Sequence, residues 1–137
     1  MLYNGFWSLV THLVLAGLAL MVLIHGEITS AVFHLVLWIL LSAAYFFSGK
    51  LVKLKPLGKW KGLLSVSAPS LLALFLLVAF TIEPGPMGFT FLYYPFFNPY
   101  TWLTAIAMQI DPGSQVFAWT WPFPSLFIWL GLVFQKR

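Results

Sequence analysis

Long apolar runs alternate with short polar interruptions along this chain, and several runs have the length of a bilayer. A helix rises about 1.5 Å per residue, so about 20 mostly apolar residues cover the hydrocarbon core. Residues 6–24 meet that requirement, with Tyr3 and Trp7 as interfacial aromatics and His25-Gly26-Glu27 as the stop. Residues 30–47 form a second run, with Ser30 suited to the N-cap and Gly49 to ending the helix. A third, 63–82, is introduced by Trp60 and broken by Glu83-Pro84-Gly85-Pro86. The fourth, 116–134, contains Pro122 and Pro124. Each proline removes a backbone donor, which predicts a kink or a helix that starts near Pro122. So late a start leaves too little length to cross, unless neighbouring segments cover the irregular part.

Between the third and fourth runs the pattern changes. The stretch 87–110 is uncharged and rich in aromatic residues, from Phe89 and Tyr93 to Tyr100 and Trp102, with Pro95 and Pro99 inside it. Asn98-Pro99 has the form of an N-cap followed by proline at the first helical position, predicting a helix over 98–110 that ends at Asp111-Pro112-Gly113. That helix is too short to span and is expected to be interfacial or re-entrant on the outer side. The aromatic stretch is read as a belt at the interface or a surface for lipid or a partner. The expected fold is therefore an all-α membrane protein: one transmembrane domain over residues 1–137, with four transmembrane helices and one short outer helix. An alternative with five spans counts 87–110 as a crossing.

Composition agrees with lipid as the solvent. Of 137 residues, 61% are hydrophobic and only 7% charged, against roughly 25% charged in soluble domains. The net charge of +4 comes from clustered cations: Lys50, Lys53, Lys55, Lys59 and Lys61 in one loop, then Lys136 and Arg137. Four spans put all of these on one side and Glu27, Glu83 and Asp111 on the other. The positive-inside rule then makes the lysine loop and both termini cytoplasmic in a multi-pass protein of a plasma (inner) membrane. The first run is read as retained, because no basic n-region precedes it. The same five lysines are candidates for contact with anionic headgroups, since Leu51, Val52, Leu54 and Leu57 among them let the loop lie on the membrane. The cations are too few and too localised for nucleic acid.

Polar side chains within apolar helices are costly in lipid and therefore face the bundle. In the first run Ser8, Thr11, His12, Ala16 and Ala19 lie near one stripe. In the second, Ala31, His34, Trp38, Ser42, Tyr45 and Gly49 recur at steps of three or four, and Ser67 and Ser70 flank Pro69 in the third. Ser8, Thr11, His12, His34, Ser42, Ser67 and Ser70 are accordingly expected at helix-packing seams. Imidazole is a common metal ligand, and His25 with His34 is the pair closest in depth. Their spacing matches no ligand motif, so no metal or other cofactor is expected. His12 lies about 18 Å below the outer end and His34 about 6 Å, which separates them. The absence of cysteine removes disulfides and thiolate chemistry.

No phosphate loop, zinc-protease pair or nucleophile elbow is found, and no span carries a central acid for proton coupling. The leading expectation is a non-enzymatic accessory or interaction subunit, its partners the bilayer and another membrane protein or a second copy of itself. The alternative is a small homo-oligomeric channel or transporter, including a holin-like pore. A membrane-embedded enzyme acting on lipid ranks third.

Overall fold

A computed structural model of the chain describes residues 1–25, 30–52, 54–55, 57–82, 98–108 and 119–135. Among the described residues every regular element is a helix: α1 (Leu2–His25), α2 (Ala31–Leu51), α3 (Lys59–Ser65), α4 (Ala68–Ile82), α5 (Pro99–Ala107) and α6 (Phe123–Val133). Two helices, α1 and α2, are long and apolar enough to cross a membrane, and a third crossing arises if α3 and α4 are counted as one bent span. Lys53, the acids Glu27, Glu83 and Asp111, the aromatic stretch 87–97, residues 116–118 and the basic pair Lys136 and Arg137 lie outside the described residues.

The helices differ from the sequence expectation where glycine and proline act. The chain remains helical through Gly49 to Leu51, because this glycine is a contact surface and not a stop. A Cβ on Gly49 would collide with the Ile128 carbonyl, and one on Gly131 would collide with the Phe46 carbonyl and come within 3.0 Å of the Lys50 nitrogen. The backbones of α2 and α6 therefore touch through a pair of glycines, an approach that small residues permit between membrane helices. Trp38 packs edge-on against Phe123 (5.9 Å) and Phe127 (6.2 Å) on the same seam. Since Trp38 meets Phe123 and Gly49 meets Ile128, α2 and α6 run parallel.

The third apolar run begins earlier than its hydropathy predicts, at Lys59, after Gly58 with φ of 79°. It is broken between Ser65 and Ala68, where α3 and α4 meet at 54°. Pro69 explains the break: its ring has no N–H and clashes with the carbonyl four residues back, that of Ser65. The last turn of α3 tightens instead, Val66 N bonding the Leu63 carbonyl at 3.2 Å. In α6 the helix starts at Phe123 with Pro122 at the N-cap, as the two prolines require. The first turns of α4 and α6 are built alike, with proline second and serine third: Ala68-Pro69-Ser70 and Phe123-Pro124-Ser125.

Contacts fix the relative directions. Asn4 near the start of α1 bonds Lys55 and Ser65, Trp129 bonds Lys59, and Gln135 bonds the carbonyls of Lys50 and Val52. The beginning of α1, the lysine segment and the end of α6 thus share one end of the bundle. The core between these elements contains Leu41, Tyr45, Val66, Tyr100, Leu103, Ile128 and Leu132.

Candidate functional site

The polar residues of α1 recur every fourth position, Asn4, Ser8, His12, and are each buried. This spacing brings successive side chains to one helix face. At the lysine end, the Asn4 carboxamide acts as a substitute peptide group. Its Oδ1 accepts from Lys55 N at 2.8 Å, and its Nδ2 donates to the Lys55 carbonyl at 2.9 Å and to Ser65 Oγ at 3.0 Å. Ser8 turns back to the Gly5 carbonyl at 2.9 Å. Thr11 is half-buried beside this face.

Deeper in the bundle, His12 Nδ1 lies 2.7 Å from the Tyr45 hydroxyl, with both residues fully buried. The Tyr45 ring meets that of Tyr100 at 5.9 Å. Tyr100 also packs against Trp38, Phe123 and Phe127 at 5.5, 5.5 and 5.9 Å. Trp38 and Tyr45 bracket the middle of α2, about 15 Å from either end by helical rise. The first turn of α5 therefore enters the bundle to half its depth. The Tyr100 hydroxyl lies beside Ser42. Among the described residues it has no hydrogen bond of good geometry, although Ser42 Oγ, which donates to the Trp38 carbonyl at 2.8 Å, keeps lone pairs that can accept.

Next to Tyr100 a second polar group closes the gap between α5 and the turn before α6. Asn98 Nδ2 donates to Thr120 Oγ1 at 3.0 Å, and Thr101 Oγ1 is also 3.0 Å from Thr120 Oγ1. Asn98 stands directly before Pro99, as an N-cap would, but its side chain serves this bridge. Among the described residues its Oδ1 is buried without a partner. Thr101 is buried as well. On the other face of α6, Ser70 and Ser125 exchange bonds: Ser70 N donates to Ser125 Oγ at 3.2 Å, and Ser125 N to Ser70 Oγ at 3.3 Å. Each serine thereby satisfies a backbone donor in the other helix's first turn, groups that have no partner within their own helix.

The remaining candidates are separate from this centre. His34 Nδ1 donates to the Ser30 carbonyl at 2.9 Å, one turn back in the chain. This bond orients the ring toward the start of its own helix, where Ser30 takes the N-cap position without a side-chain bond. His25 is the last residue of α1, and its side chain lies outside the described residues. Among the described residues no three histidines or acids come together as a metal site. Ser67 lies at the break and turns to the Leu64 carbonyl at 2.8 Å. Lys50, Lys55, Lys59 and Lys61 are exposed at one end, with the Lys55 ammonium 5.5 Å from the centre of the Tyr3 ring.

Sequence reasoning brought out Ser8, His12, Ser42 and Ser70, and missed Asn4, Ser65, Asn98, Tyr100, Thr101, Thr120 and Ser125 as members of these groups. Two signals were available. Asn4 extends the every-fourth series of α1 by one step, and Ser125 follows Pro124 as Ser70 follows Pro69. Comparison with protein-family models, curated proteins and solved structures finds no match.

Proposed function

We propose that this is a four-span membrane protein, its lysine end cytoplasmic in a plasma membrane, serving as a non-enzymatic accessory or interaction subunit of a membrane complex. The carrying observation is a division of labour between inside and outside. The buried polar side chains tie one segment of the chain to another: Asn4 to the lysine segment, His12 to Tyr45, Ser70 to Ser125 and Asn98 to Thr120. Large apolar residues cover the outside: Phe6, Val14 and Leu18 on α1, Val32, Ile39 and Leu40 on α2, Leu71 and Phe75 on α4. Such faces suit lipid tails and the helices of another membrane protein. The fourth crossing combines α6, about 16 Å long by helical rise, with the irregular turn above it. Asn98 and Thr101 bond Thr120 in that turn, which supports a non-helical segment covered by neighbouring protein. Purification in a mild detergent, followed by mass spectrometry, tests the reading. A stoichiometric partner is the expected result, and a stable homo-oligomer with no second protein opposes it.

A specific observation favours the second reading, a small homo-oligomeric channel or transporter. Among the described residues, Asn98 Oδ1 is buried without a partner and the Tyr100 hydroxyl has no hydrogen bond of good geometry, with Tyr100 at a depth where transporters place solute sites. Buried polar atoms of this kind are commonly satisfied by water or a polar solute. In reconstituted liposomes Tyr100→Phe then slows solute or proton flux. Flux equal to the parent chain removes Tyr100 from any such path.

A further inference from the structure

At the lysine end, α3 and α6 enclose a recess that the helix-packing role leaves unused. Its volume is about 160 Å³, with Leu57, Leu132 and Val133 among its apolar walls and Lys59 and Gln135 among its polar ones. Trp129 forms one side and is fixed there by its Nε1–H, which donates to the Lys59 carbonyl at 2.9 Å. Gln135 is fixed too, its Nε2 donating to the carbonyls of Lys50 and Val52 at 3.2 and 3.3 Å. The recess thus has two anchored polar side chains, while Lys59 is exposed.

Charge decides what fits. No aspartate or glutamate occurs between Ile28 and Ile82 or after Asp111, so the segments forming the recess contain no acid to neutralise Lys59 or Lys61. Trp60, 80% exposed on the same turn, has the character of an interfacial anchor. A space of this size is below the roughly 300 Å³ of pockets for drug-sized ligands. It suits a compact phosphate-bearing headgroup whose acyl chains remain outside in the bilayer. Basic pockets between membrane helices on the cytoplasmic side bind such headgroups.

The geometry points to a specific site for an anionic glycerophospholipid in this recess, with Lys59 binding the headgroup phosphate and Leu57, Leu132 and Val133 bordering its glycerol. The inference rests on the membrane reading above and goes beyond general attraction of a basic loop, because it singles out Lys59 from the neighbouring lysines. Lys61 carries the same charge on the same helix and does not line the recess.

Native mass spectrometry of the full chain in detergent, titrated with phosphatidylglycerol, phosphatidylcholine or inorganic phosphate, tests it. The expected result is retention of one phosphatidylglycerol in preference to phosphatidylcholine, with inorganic phosphate failing to displace it. Lys59→Gln lowers that affinity about fivefold, equivalent to about 1 kcal/mol per basic residue, Lys59→Arg restores it, and Lys61→Gln leaves it near the parent value. Gly62→Ala tests the cavity without removing charge, since its Cβ meets Leu132 and Trp129 at 3.6 and 3.7 Å, and it too weakens binding. Equal losses from Lys59→Gln and Lys61→Gln overturn the site in favour of diffuse attraction. Full displacement by inorganic phosphate overturns the lipid as its ligand. Resistance of the chain to carbonate extraction from membranes reads the membrane assignment separately. A chain that stays in the membrane yet shows no lipid preference refutes the site alone.

Discussion

Asn4 shows how much one polar side chain does at the end of an otherwise apolar helix. Its amide matches the hydrogen-bonding pattern of a peptide and so holds Lys55 as a neighbouring strand would. Loss of the amide removes the partner of both backbone groups of Lys55, while the Ser65 hydroxyl keeps its bond to the Gly62 carbonyl. Asn4→Ala is therefore expected to cost about 1–3 kcal/mol, the range for buried groups left unsatisfied, read as a lower midpoint of detergent-induced unfolding. Asn4→Asp falls in the same direction, because a carboxylate facing the Lys55 carbonyl has no proton to donate. An unchanged midpoint in Asn4→Ala contradicts the role assigned to this residue. The centre around His12 and Tyr45 has the same character, with polar groups buried in pairs so that lipid does not meet them.

At the scale of elements, glycine and proline set the geometry. Gly49 and Gly131 hold α2 and α6 at backbone contact, where any side chain must push the helices apart. Gly49→Ala and Gly131→Ala are each expected to destabilise by about 1–3 kcal/mol, as overpacked sites do. Gly5→Ala serves as the control, since its Cβ would stand 3.5 Å from the Ser65 carbonyl and should change the unfolding midpoint little. Equal behaviour of all three variants contradicts the close crossing. Apolar length announced α1 and α2 well, because length and hydropathy are local properties. Glycine was read as a stop at position 49 because its local meaning is conformational freedom, whereas its role here depends on Ile128, far along the chain. Proline was read correctly at 122 and 124, where the ring acts on its own helix. At 69 the same local chemistry was present, but the break was concealed inside a continuous apolar run.

For the whole molecule, the arrangement makes a claim about sides. The start of α1, the end of α2 and the end of α6 share one end of the bundle. The natural chain lacks cysteine, so single cysteines report without background. Leu2→Cys, Leu51→Cys and Phe134→Cys, all at exposed positions, should react with a membrane-impermeant maleimide from the same face, which on the orientation proposed above requires permeabilisation of intact cells. Labelling of Phe134→Cys from the face opposite to Leu51→Cys contradicts the arrangement. Charge alone places these segments together in the sequence reading, with five lysines in one loop and Lys136 and Arg137 after the last apolar run, and the contacts bring the described segments to one end of the bundle. The mid-depth centre was far less legible: Asn98, Tyr100 and Thr101 came from a segment read as surface, and only tertiary contacts carry it inward.

The glycine crossing also bears on biosynthesis. Gln135 is 85 positions beyond Lys50, the residue whose carbonyl it binds, so α2 enters the membrane long before its tightest neighbour has been translated. Until the ribosome has delivered α6, the groove beside Gly49 stays empty and the opening turn of α4 lacks Ser125. Truncation tolerance follows the burial of what is lost. A nonsense codon before Phe123 should therefore leave an unfinished product that membrane proteases clear, even though the two longest helices have already been inserted.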